Sequence, residues 1–200
     1  MFIFLSIFTN YIKYVLLLYL IAIIHELAHI LVALFFKRKI RKIRVLPFGL
    51  YAIIDNIEEL SFLKENLIYL AGPFSYFLSF LILILFKNNG MISNYSYLIA
   101  QNCNKTMALF NLIPYYPLDG SKILQNALKL FCSNKESYKY TNIVANATLI
   151  IFTIFCSVFI LYAKNIAIVA ILIYLWYINI KENEKQKIRN KILNNNYIII

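Results

Sequence analysis

Apolar residues run along this chain in long blocks rather than in short alternations. The hydrocarbon core of a bilayer takes about 20 apolar residues of helix, and residues 14–36, 67–86, 143–163 and the shorter 165–180 meet or approach that length. A fifth block, 96–118, is apolar overall but carries Gln101, Asn102, Asn104, Lys105 and Asn111, which predicts a helix kept inside a bundle rather than against lipid. Residues 1–9 are apolar but too few to span, and they lack the basic start and small-residue cleavage site of a secretory signal. One stretch departs from the helical pattern. Ile43 to Ile54 (IRVLPFGLYAII) is rich in β-formers, with Pro47 and Gly49 at a bend; it predicts a short β-hairpin re-entering the membrane edge, with an interfacial loop held by aromatic anchors as the alternative. The tail KENEKQKIRNK mixes both charge signs and reads as a solvated helical extension, or more sharply as a segment drawn to anionic headgroups.

Composition agrees with the blocks. Of the 200 residues 62% are hydrophobic and 14% charged, against roughly 45–50% and 25% in soluble domains. The fold class predicted is therefore an all-α polytopic membrane protein of about five transmembrane helices, with a membrane domain over 1–180 (core 14–125) and a tail over 181–200. Cys103, Cys132 and Cys156 form no CxxC pair and supply neither a disulfide nor a zinc-finger framework.

The net charge of +11 suggests nucleic acid only if a basic face sits on a soluble scaffold, and none is evident. Position gives another meaning. Residues 37–66, 119–142 and 181–200 hold seven, four and five of the basic residues, sixteen of the twenty in all. Cytoplasmic segments collect Lys and Arg, so these three face the cytoplasm, the N-terminus lies outside and the C-terminus inside. The expected setting is a multi-pass protein of the cell membrane.

The first long block contains His25-Glu26-Leu27-Ala28-His29, and these are the chain's two histidines. At i and i+4 of a helix both imidazoles project from one face and can hold one zinc ion, with Glu26 beside them. Plain packing of the three is the alternative, but ionisable residues within a span are functional by default. Ala22, Ala28 and Ala33 are small enough to let other helices approach. Catalytic zinc takes three protein ligands and one open position. Most carboxylates, among them Asp55, Glu58, Glu59, Glu65 and Glu136, fall in basic loops; Asp119 stands at the end of an apolar block, in NLIPYYPLDG. Pro114 and Pro117 must interrupt a helix there. Irregular backbone at membrane depth is tolerated where it is buried or lines a wet cavity, although a turn at a span end is the simpler account of a Pro-Asp-Gly string.

Four blocks together resemble the site-2 protease family of intramembrane zinc metalloproteases, peptidase family M50, and most of all its stage IV sporulation protein FB branch: IHELAH at 24–29, LVALFFKRKIRKIRVLPFG at 31–49, LAGPFSYFLSF at 70–80 and FNLIPYYPLDGSK at 110–122. The resemblance implies one zinc ion per chain on His25, His29 and Asp119, Glu26 as catalytic acid and base, and Asn111 with Pro117 at the substrate. It also implies a membrane-associated protein substrate such as a pro-sigma factor, and membrane inhibitor proteins as partners. The family has six spans; 24 residues precede His25 here, so five spans and a start further upstream are both open. No PDZ or CBS domain is expected, and regulation by ATP is not.

His25 lies about two turns from the basic end of its span, which brings water and substrate from the cytoplasm. A helical substrate hides its carbonyls in backbone bonds and must unwind. The predicted hairpin offers an edge to which it can add as a strand. Ala71-Gly72-Pro73 reads as a close helix contact or kink without chemistry of its own. A divalent-metal transporter is the principal rival, but it should show further ligands along a path and often paired repeats. A noncatalytic membrane partner would be free to lose Glu26 or Asp119, and both are present.

Overall fold

A computed structural model describes residues 12–46, 49–163 and 166–196. The apolar stretch 1–9 and the bend at Pro47 and Phe48 lie outside the described residues. The elements in order are α1 (Ile12–Phe35), β1 (Ile40–Leu46), β2 (Gly49–Ile54), a 3-10 turn (Ile57–Glu59), α2 (Phe62–Asn88), α3 (Asn94–Asn111), α4 (Asp119–Leu128), α5 (Asn134–Ala163) and α6 (Ile166–Asn196). Among the described residues three helical segments are long and apolar enough to cross a membrane: Leu16–Phe35, Phe62–Asn88 and Asn134–Val158. The fold is mostly helical with one two-stranded sheet. The chain divides into two compact units, Met1–Leu112 and Ile113–Ile200.

In the first unit α1 packs mainly against α2, and then against β2 and α3. Its two faces differ as a lipid-exposed helix requires. Leu16, Leu20, Ile23, Leu27, Leu31 and Leu34 form an exposed stripe, while Ile21, Ala22, His25, Glu26, His29 and Ala33 are buried opposite. The helix closes with Lys37 in the left-handed region (φ 58). Arg38 N–H donates to the Ala33 carbonyl at 2.9 Å and Lys37 N–H to that of Leu34 at 2.8 Å, which satisfies carbonyls a helix end would leave unpaired. The hairpin expected from Ile43 to Ile54 is present. β1 and β2 pair antiparallel, with Leu46 opposite Gly49, Arg44 opposite Tyr51 and Ile43 opposite Ala52. At its base Arg38 bonds Glu59 at 3.0 Å.

Pro73 lies inside α2 and cannot donate to the carbonyl of Tyr69. The same helix ends on Gly90 (φ 68), whose neighbour Met91 donates back to the Phe86 carbonyl at 2.9 Å. The polar residues of α3 explain why it is not counted among the apolar helices. Asn104 is buried and gives its amide to the Tyr76 carbonyl of α2 at 3.1 Å. α3 ends at Asn111, so block 96–118 is not one helix, as its two prolines required.

The second unit begins with the irregular stretch that precedes α4. Its core gathers Tyr115, Ala145, Leu149 and Leu175, with Ile113, Leu118 and Phe152 packed around them, and the Tyr115 hydroxyl donates to the Leu175 carbonyl. α5 starts on a reciprocal cap, Ser133 N–H to Glu136 at 3.0 Å and Glu136 N–H to the Ser133 hydroxyl at 3.3 Å. α6 carries the tail as continuous helix as far as Asn196.

Candidate functional site

The HExxH residues lie on the buried face of α1, with His25, Glu26 and His29 all at or below 7% exposure. Their two Nε2 atoms are 3.3 Å apart. The second ring nitrogen of His29 decides the chemistry of the pair: Nδ1 lies 2.6 Å from the Ile68 carbonyl of α2. A carbonyl oxygen only accepts, so Nδ1 carries a proton, and in the neutral ring Nε2 then keeps its lone pair, the state in which histidine is a metal ligand.

Gly72 of α2 closes the other side. A Cβ added there would stand 2.5 Å from His25 Nε2 and nearer still to that of His29, so the glycine leaves open the space between the two donors. Two nitrogens at about 2.0–2.1 Å from a tetrahedral zinc lie about 3.3–3.4 Å apart along the tetrahedron's edge. The separation of the pair, the tautomer fixed at His29 and the cradle at Gly72 all fit that ion. Sequence reading left Gly72 without a chemical role, because the clash is with residues more than forty positions away.

Glu26 turns its carboxylate to β2, where Oε1 accepts the backbone N–H of Ala52. This contact had no signature in the sequence, since any residue but proline supplies an N–H. Asn111, the last residue of α3, returns its amide to the Met107 carbonyl at 2.9 Å. Asp119 and Pro117 belong to the second unit. Asp119 is buried as the first residue of α4, and the Nζ of Lys122 lies 3.4 Å from its Oδ1. Ser121 donates its hydroxyl to the Leu118 carbonyl at 2.7 Å, which ties the first turn of α4 to the segment before it. The bond between Tyr116 and Pro117 is cis.

A helical membrane protein with a buried histidine pair of metal-binding geometry is the class these features define. The model of peptidase family M50 matches residues 85–155, a stretch that holds Asn111, Pro117 and Asp119 but not the histidines. Stage IV sporulation protein FB of Bacillus subtilis (strain 168) is 29% identical over 120 residues, covering 60% of this chain and 42% of that protein. A zinc metalloprotease of Methanocaldococcus jannaschii is 35% identical over 134 residues, covering 65% and 38%. The chain thus spans about two fifths of the length of the curated relatives it matches. The solved structure of a site-2 protease from Methanocaldococcus jannaschii superimposes with a TM-score of 0.68 at 28% identity, covering 90% of this chain and 83% of that one. The resemblance to the site-2 proteases, peptidase family M50, therefore holds by family, by relatives and by fold.

Proposed function

We propose that this chain is an intramembrane zinc metalloprotease that hydrolyses a peptide bond of a membrane-associated protein near the cytoplasmic face. The observation that carries the reading is the histidine pair, with Nε2 atoms at 3.3 Å and Gly72 holding their space open. His25, His29 and Asp119 would hold one zinc ion; a carboxylate ligand for the third position is supported by the family match over Asp119 and by the lack of a third histidine. When bound, zinc supplies a Lewis acid and lowers the pKa of water toward about 7.

Glu26 does the proton work. Its carboxylate takes a proton as water attacks the scissile carbonyl and returns it to the leaving amine. Asn111, once its amide is released from Met107, donates to the carbonyl oxygen as negative charge develops there. Pro117 keeps the segment before Asp119 out of helix, so that its backbone can face the substrate. The β2 edge receives the unwound segment as an added strand.

The likeness to a stage IV sporulation protein supports a membrane-associated pro-sigma factor as substrate, whose cleavage would release a transcription factor during sporulation. The chain sits in the cell membrane as a multi-pass protein with its C-terminus in the cytoplasm. The test is coexpression with candidate pro-sigma factors and single-span proteins, comparing wild type with Glu26→Gln and Asp119→Asn. Cleavage by wild type alone is expected, with zinc retained by Glu26→Gln. A Glu26→Gln protein that cleaves at the wild-type rate sinks the assignment, and uptake of metal into proteoliposomes without any cleavage would favour a transporter.

A further inference from the structure

The bond between Ala52 and Glu26 joins two things the proposed reaction needs separately, a strand edge and a base. Residues of an antiparallel strand alternate between those that exchange backbone bonds with the partner and those that turn them outward. Ala52 lies opposite Ile43 of β1, yet its N–H goes to Glu26. Ala52 therefore belongs to the outward set, and so does Leu50 two residues before it. The side of β2 that β1 leaves unpaired is the side packed against α1, where Ala52 meets the glutamate.

We infer that Glu26 closes the strand edge of its own protein, and that an extended peptide opens it by displacing the carboxylate from Ala52. The inference rests on the protease reading given above. A peptide adding to β2 needs the Ala52 N–H for its own carbonyl, and one N–H does not serve both acceptors well. The resident bond is made within the chain and costs no association entropy. A single amide from a short peptide does not replace it. A segment of several residues does, because it gains ladder bonds at Leu50 and beyond in the same event. Ala52 and Glu26 are both 7% exposed, so water does not compete for the bond.

Two consequences follow for the proposed enzyme. Its base is held away from water until a peptide arrives, which guards against idle proton exchange. It also selects extended over helical segments, because a helix has no free carbonyls to offer the edge.

The experiment measures binding, with metal stripped by chelation, since the closure is made by this chain alone. A fluorescent, acetylated decapeptide of alternating Val and Thr is titrated into the full chain in detergent micelles. Glu26→Ala should bind it roughly tenfold more tightly than wild type, the effect expected of one hydrogen bond. The gain should vanish in Glu26→Ala/Ala52→Pro, which has no N–H to free, and persist in Glu26→Ala/Ala52→Gly, which keeps it. A tripeptide of the same composition should bind wild type at least tenfold more weakly than the decapeptide. Equal affinity of wild type and Glu26→Ala, or no binding to either, overturns the inference.

Should the proline variant fail to fold, amide exchange at Ala52 decides instead. In the chain labelled with 15N-alanine that amide should exchange about tenfold faster in Glu26→Ala, and the decapeptide should restore its protection. An unchanged rate is a second refutation. Cleavage is scored separately: tighter binding by Glu26→Ala with no proteolysis by wild type defeats the protease and spares the closure, and proteolysis with equal affinities does the reverse.

Discussion

Two regions of this molecule place polar side chains four residues apart on helices, and they put the spacing to opposite uses. In α1 the pair is His25 and His29. In α5 and α6 the pairs are Asn142 with Asn146 and Asn179 with Asn183, facing one another across the helices. Asn179 donates to Asn146 Oδ1 at 2.7 Å and Asn183 to the same oxygen at 3.4 Å, while Asn142 donates to Asn183. Amides carry donor and acceptor together and bond one another directly, here through the Asn146 and Asn183 oxygens, while those of Asn142 and Asn179 are buried without a partner. His29, whose other nitrogen is already committed to a carbonyl, instead meets His25 Nε2 to Nε2, an arrangement that suits a cation. Equal spacing thus gives a helix clamp in one unit and a metal-binding geometry in the other.

The contrast can be broken at Gly72. Gly72→Ala puts a methyl group between the two Nε2 atoms, and we expect zinc affinity to fall by at least about 100-fold, because the first ligands themselves are displaced, where disturbing an outer partner costs about 10–100-fold. Metal content by atomic emission, on protein whose helical circular dichroism is unchanged, checks it. Zinc retained at the wild-type level would mean that the pair is not the metal site.

The asparagine clamp should respond in stability alone. Asn146→Ala removes the acceptor shared by Asn179 and Asn183, and should cost about 1–2 kcal/mol, since interhelical hydrogen bonds in membranes are worth about 0.6–1.7 kcal/mol each. Unfolding in sodium dodecyl sulfate measures that loss, and zinc content should not change. A change in zinc would show that the two regions are not independent.

Two smaller effects separate space from backbone angle. Gly90 has nothing within 4 Å of an added Cβ, but its φ is 68. Gly90→Ala should therefore cost about 1 kcal/mol through the left-handed conformation alone and leave zinc untouched, unlike Gly72→Ala. Lys37 holds a similar angle without being glycine. Lys37→Gly should stabilise the end of α1 by up to about 1 kcal/mol in the same assay, and a loss would mean that the lysine stem does more than cap.

Much of the first unit could be read from residues in order. The i, i+4 placement of His25 and His29 follows from helix geometry, and the helix follows from a block of apolar residues long enough for a bilayer. Ile43 to Ile54 announced a hairpin through β-formers around a Pro and a Gly, and strands pair as soon as the bend permits. Pro114 and Pro117 announced the end of α3, because neither can donate within a helix. The asparagines at 142, 146, 179 and 183 were also visible, at a spacing that places each pair on one face. Their meaning was not, because it depends on which helix lies opposite.

Local chemistry is what the sequence by itself determined: which segments are apolar enough for lipid, where helix must stop, and which few residues within them carry imidazole and carboxylate groups. Tertiary structure alone decided how those groups are set. The Ile68 carbonyl selects the tautomer of His29, the missing side chain of Gly72 makes room between the donors, and the Ala52 N–H holds Glu26. Two of these three partners are backbone atoms, which every sequence offers at nearly every position, and the third is an absence. Neither can be recognised until packing brings distant segments of the chain together.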